Sequence, residues 1–219
     1  MILTVIMEPG IICFQHCGPK VFCKELPESC PVCKADLSLA NFGLLPFRVP
    51  FPFVKASQNS CAVLIKPTTG DFLNEYFNSK DLHIGVTTST CKVIEFDKKG
   101  LQRKGENWGQ CLLIGQLPAS WADHWDETLE LICKQPYWTP NNYKEESYNC
   151  YTFVLAFLRE VNCGKMSEAA ACRTTFCEKF IVPRTTAAGK YISLYRRVRD
   201  SGQFIHWEDG KVHNKRNNQ

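Results

Sequence analysis

Apolar and polar positions along the chain fall into three textures. From Met1 to about residue 60 no period holds: short apolar runs are broken by Cys, Pro and Gly, and Leu44–Val54 carries Pro46, Pro50 and Pro52. Proline lacks an N–H and fixes φ, so that stretch can hold neither a regular helix nor a central strand. From Cys61 onward a strand-like texture appears. Cys61–Lys66 is a short apolar run, Leu82–Thr87 and Lys92–Asp97 read as strands, and Gly109–Leu117 reads as another. A helical period follows. In Ser120–Lys134 the apolar Trp121, Trp125, Leu129 and Ile132 alternate with Asp123, Asp126, Glu127 and Glu130, which predicts an amphipathic helix with Ser120 as its N-cap.

A second helix is predicted from Asn149 to Val161, with Asn162 and Gly164 available to end it. Phe153, Val154, Leu155, Ala156, Phe157 and Leu158 leave it no polar face, so it should be the buried centre of the fold. A third, about Ala187–Asp200, places Tyr191, Leu194, Tyr195 and Val198 on one side and Arg196, Arg197 and Arg199 towards water. Met1–Met7 reads as a first strand, and His213–Gln219 as a disordered end. Together these elements predict an α+β protein. It has a small Cys-rich module and Pro-rich connector over 1–60, a largely antiparallel sheet of four to six strands packed on a central helix over 61–204, and a basic tail over 205–219.

With 219 residues and 44% hydrophobic content the chain can bury a core. Its longest apolar run, Tyr151–Leu158, is far shorter than the ~20 residues a spanning helix needs, so no membrane span is expected. Met1–Met7 lacks a basic flank and so does not read as a secretory signal, which points to the cytoplasm or nucleus. Of the net charge of +4, Arg184–Gln219 carries eight Lys/Arg against three Asp/Glu; everything before it is close to neutral. That is too mild, with aromatic residues too poorly interleaved, for nucleic-acid binding. The expected partner or substrate is another protein.

Thirteen cysteines, without a signal peptide, suggest metal binding or catalysis before disulfides. Cys30-Pro31-Val32-Cys33 is a Cys-x-x-Cys knuckle, a spacing that lets two thiolates share one tetrahedral ion. Cys17 and Cys61 are the favoured remaining ligands, because the adjacent His16 and Cys17 seldom both bind one ion; His16 is the alternative fourth, with Cys13 and Cys23 in reserve. A structural zinc would replace the hydrophobic burial that about 60 Pro-rich residues lack.

In Asp81-Leu82-His83-Ile84-Gly85-Val86 the alternation puts His83 and Gly85 on the face opposite Leu82, Ile84 and Val86. Gly85 has no side chain, so another element can come close beside the imidazole. Cys150, in the first turn of the buried helix, sits where unpaired N–H groups and the helix dipole stabilise a thiolate. If the two meet, Cys150 is a nucleophile and His83 its base, with Glu95 on the next strand as the orienting carboxylate. Asn149 reads as an N-cap, and His124 as a surface residue. The same residues can instead be packed parts of a non-catalytic interaction scaffold.

The order of these features resembles that of the circularly permuted papain-like hydrolases: His-x-Gly on a strand, a strand and Gly turn (Val93–Gly100), an amphipathic helix, then Asn149-Cys150 opening a buried helix. These are the deSUMOylating isopeptidases of the PPPDE group, with lecithin retinol acyltransferase and NlpC-type peptidases as more distant relatives. The resemblance covers residues 81–163 and implies a cysteine (iso)peptidase or thioesterase with His83 as base and Cys150 as nucleophile. Over its whole length the chain resembles the makorin-2 opposite strand protein family, an uncharacterised vertebrate family. That similarity is carried by Phe14-Gln15-His16-Cys17, Cys30-Pro31-Val32-Cys33, the segments around His83 and Cys150, and Glu178–Thr185.

Overall fold

A computed structural model describes residues 10–207; the expected first strand at Met1–Met7 and the disordered end at His213–Gln219 lie outside them. The strands are β1 (Ile12–Gln15), β2 (Lys20–Cys23), β3 (Leu44–Arg48), β4 (Ala62–Pro67), β5 (Leu82–Thr87), β6 (Val93–Asp97), β7 (Gly100–Gln102), β8 (Leu112–Gln116) and β9 (Gln203–His206). The helices are α1 (Ala122–Cys133), α2 (Cys150–Val161), α3 (Lys165–Ala169), α4 (Arg173–Phe176) and α5 (Val182–Ser201). The chain forms two compact units, dividing after Phe51 and again within α5 after Ile192.

The first unit holds an antiparallel sheet in the order β3-β1-β2-β9. The irregular reading of this region is corrected: Phe14, Val21, Cys23, Cys30 and Leu37 pack into a small core, with Ile205 of β9 against it. The strands are only four or five residues long, too short to display a period. Pro46 lies in the edge strand β3, beside a register shift between Cys13 and Gln15, where a missing N–H costs no central ladder bond. The last strand, β9, pairs with β2 from Lys20↔His206 to Cys23↔Gln203, so the module draws on residues from the far end of the described chain.

The second unit is built on a five-stranded antiparallel sheet in the order β7-β6-β5-β4-β8. The predicted elements stand close to their expected bounds, except that Ser120 falls in a 3-10 turn, Ala119–Trp121, and Trp121 takes the N-cap position of α1 expected for it. Helix α2 lies against β5, β6 and α1, and Phe153, Phe157 and Leu158 are completely buried. Each such side chain contributes about 1.5–3 kcal/mol by leaving water. Trp125 of α1 packs edge-on to Phe157 at 4.6 Å and donates its indole N–H to the Thr87 carbonyl at 2.8 Å. On the sheet, Phe96 meets Trp138, Tyr143 and Tyr148, an aromatic group that the sequence pattern does not reveal.

Helix α5 starts five residues earlier than its period suggested. A π-helical turn, Cys177–Ile181, joins it to α4. Pro183 explains that turn: its ring and missing N–H do not fit regular α bonding to the preceding turn, and a widened turn accommodates both.

Candidate thiol-imidazole site and metal-ligand cluster

Alternation places His83 and Gly85 of β5 and Glu95 of β6 on one face of the sheet, since Val86 pairs with Ile94 and Thr87 with Val93. The ladder between the two strands stops at Val86 and Ile94, and beyond it His83 and Glu95 approach each other. His83 Nε2 lies 2.8 Å from Glu95 Oε2, a close ion-pair contact set off the line of an ideal N–H bond. The Cys150 thiol also lies near enough to His83 to interact with it. The structure therefore brings Cys150, His83 and Glu95 together. They retain only 5%, 8% and 7% of their surface, so the chain of groups is shielded from water.

Helix α2 brings Cys150 there. The Asn149 side chain accepts the Tyr151 N–H at 3.0 Å, and the Asn149 N–H donates to Thr152 Oγ1 at 3.1 Å, a reciprocal cap that fixes where the helix begins. The left-handed Asn162 (φ 51°) ends it. Asn149 is a cap, as its sequence context suggested.

Burial by itself would drive protons off His83, but the neighbouring Cys150 and Glu95 outweigh it and raise its pKa from 6.5 to about 9. Glu95 feels the mirror effect: burial pushes its pKa up, while His83, Lys66 and the Trp108 N–H bring it below the ordinary carboxylate range. Trp108 is the member that sequence reading missed. Its Nε1–H donates to Glu95 Oε2 at 3.2 Å, and its ring lies over Gly85, where an added Cβ would come within 2.9 Å of Cη2. The sequence signal was a lone tryptophan between Gly105 and Gly109, opposite a strand glycine. Trp108 also lines a cavity of about 860 Å3, walled in part by Val93, Ile94, Arg103 and Leu129. His124, exposed on α1, contacts the Val161 carbonyl at 3.0 Å and takes no part in this site.

The metal-ligand cluster belongs to the first unit. His16 and Cys17 leave β1 in the turn towards β2, where Gly18 adopts φ 97°. Cys30 and Cys33 flank a tight turn closed by the Lys34 N–H to the Cys30 carbonyl and the Cys30 N–H to the Ala35 carbonyl, both at 2.8 Å. Burial raises the Cys30 thiol, but the Cys33 and Val32 N–H groups with Cys17 and His16 bring it below its usual value. The ligand atoms of His16, Cys17, Cys30 and Cys33 all lie within 4.8 Å of one another. Cys17 and Cys30 sulfurs are 3.5 Å apart, and Cys33 Sγ lies 3.2 Å from His16 Nδ1. Ligands at ~2.3 Å on tetrahedral corners stand ~3.7 Å apart, so this donor set fits one ion.

Cys61 is corrected. It is buried at the start of β4 in the other unit with φ 48°, its N–H bonded to the Thr88 carbonyl and its own carbonyl bonded to the Leu117 N–H. His16, the alternative fourth ligand, stands with Cys17, Cys30 and Cys33 instead. A hairpin turn can aim two successive side chains at one point, an arrangement adjacent residues seldom adopt. Cys13 and Cys23 are buried outside the cluster.

Residues 46–198 match the family described as DUF4796 C-terminal, and residues 9–37 the one described as DUF4796 N-terminal. The chain belongs to the DUF4796 family. The human MKRN2 opposite strand protein is 34% identical to it over 201 residues, which cover 90% of this chain and 89% of that relative. No solved structure matches. In this DUF4796 chain the N-terminal match contains all four clustered ligands, and the C-terminal match contains Cys150, His83, Glu95 and Trp108. Among the described residues, no helix is long and apolar enough to cross a membrane.

Proposed function

We propose that the second unit is a permuted papain-like thiol hydrolase acting on an isopeptide, peptide or thioester bond of a protein substrate. One observation carries the reading: a cysteine in the first turn of a buried helix lies beside an imidazole that also meets a carboxylate. Cys150 gives its proton to His83, and the thiolate attacks the carbonyl carbon. His83 returns the proton to the leaving amine or thiol, and water, activated by the same ring, releases the acyl group. Glu95 keeps the ring oriented and stabilises its charged form. Because the Tyr151 N–H is engaged by the Asn149 cap, the donor left beside the sulfur for an oxyanion is the N–H of Cys150 itself.

Within the same reading, His16, Cys17, Cys30 and Cys33 hold a structural zinc that staples the first unit. The donor set of one imidazole and three thiolates is among those that structural zinc takes, and all four corners are protein groups, which suits a closed structural site.

The burial of Cys150, His83 and Glu95 favours a second reading, a non-catalytic scaffold with a packed polar cluster. Iodoacetamide at pH 6 separates the two. Cys150 should be alkylated ahead of the exposed Cys172, and Cys150→Ala should remove that fast phase. Cys150 reacting no faster than Cys172 leaves the scaffold.

A further inference from the structure

Trp108 touches neither the sulfur nor any group the proposed chemistry consumes, yet the fold makes room for it from three directions. Gly85 leaves its ring space on β5. Gly105 does so on the other side, where an added Cβ would lie 2.8 Å from Nε1, 2.9 Å from Glu95 Oε1 and 2.7 Å from Val93 Cγ1. Lys66 Nζ lies 5.0 Å from the ring centroid and donates to the Glu106 carbonyl at 3.1 Å, closing the third side. The imidazole of His83 stands 6.0 Å away, ring to ring. Within this cradle Nε1–H and His83 Nε2 approach the same carboxylate oxygen, Glu95 Oε2. A tryptophan that served packing alone would need none of this registration. A buried carboxylate with one of its two partners removed could turn away from the ring.

We propose that Trp108 is a positioning residue for His83, acting through Glu95: its indole N–H fixes the carboxylate where it faces the imidazole. The proposal deepens the thiol-hydrolase reading but does not depend on Cys150 being reactive. The groups that face the pair are Cys150 from α2, Glu95 from β6, Lys66 from β4 and, near Glu95 and Lys66, the Cys111 thiol just before β8. His83 is held well above its ordinary range by Cys150 and Glu95 together, so its titration reports how well Glu95 is held.

The test is the His83 titration followed by ring NMR signals in the full chain. Trp108→Phe, which keeps a ring and loses the donor, should weaken proton binding at His83 about tenfold, an effect expected of one hydrogen bond to a charged group. In a Glu95→Gln background the same substitution should leave the midpoint where it is, because the intermediary is gone. Gly85→Ala keeps the indole but pushes it aside, and should lower the midpoint in the same direction; it serves if Trp108→Phe does not fold. An unmoved midpoint in a folded variant overturns the proposal, as does an equal shift with and without Glu95. A wild-type Cys150 that is slow to alkylate ends the hydrolase reading and leaves these outcomes standing.

Discussion

The chain places cysteine and histidine side by side in both of its units, in opposite arrangements. In the first unit the sulfurs and the ring sit on two neighbouring turns, partly open to water, with no carboxylate among them and all four donor atoms aimed at one point. In the second, one sulfur and one ring are buried together, and a carboxylate meets the ring. Converging donors suit a cation, which needs several lone pairs at once. A linear relay suits a proton, which needs one donor and one acceptor at each step. The residue types are shared; their geometry and surroundings differ, and on the proposed reading that difference separates metal binding from proton transfer.

The largest effect should come from breaking the converging half. Cys30→Ser, or a strong chelator, should take bound zinc from one per chain to none. It should also abolish amide-exchange protection in the first unit, since structural zinc supplies about 10 kcal/mol or more to folding. Cys61→Ser should leave the zinc content at one. If Cys61→Ser loses the ion while His16→Ala keeps it, the cluster is misassigned.

Breaking the linear half should act on rate instead. His83→Ala is expected to slow alkylation of Cys150 at pH 6 by about 100-fold or more, by removing the group that takes its proton. Chelator should raise the count of rapidly labelled thiols in the first unit and leave the Cys150 rate alone. A common response of both sets of thiols to either treatment would erase the distinction.

A smaller effect sharpens the electrostatic side. With its folded pKa raised to about 9, His83 contributes stability that is complete below about pH 6.5 and is lost as pH rises through 9. Glu95, held low, contributes above the ordinary carboxylate range and loses that as pH falls through its folded value. Both describe one interaction, so the difference in unfolding free energy between wild type and Glu95→Gln should be greatest between these limits. It should shrink by on the order of 2–3 kcal/mol on going from pH 6 to pH 10. A pH-independent difference would mean the pair carries no net charge interaction.

The smallest is Asn149→Ala, which removes the cap that sets the start of α2. It should cost about 1 kcal/mol in denaturant unfolding and leave zinc content unchanged. Loss of metal there would show that the halves do not behave separately.

Much of the second unit could be read in advance. Trp125, Leu129 and Ile132 recur at helical spacing and are buried as expected, and the long apolar run from Phe153 marked α2 as central. Glu95 could be named as a carboxylate on the next strand, but the register that puts it on the face of His83 came from the fold. Trp108 could not, since it comes from a loop whose path no period describes. The first unit was opaque for another reason. Its strands are too short to alternate visibly, and β9 pairs with β2 from the far end of the sequence.

Local order along the chain determined which side chains share a strand face, where α2 starts and stops, and that Cys30 and Cys33 form one half of a ligand set. Those are consequences of backbone period and turn chemistry, which act over a few residues. Only the folded chain decided that His16 completes the set and Cys61 does not, and that an indole joins the Cys150, His83 and Glu95 group. Those choices depend on where separate turns and loops come to rest, and that is set by the packing of the whole core, not by spacing along the chain.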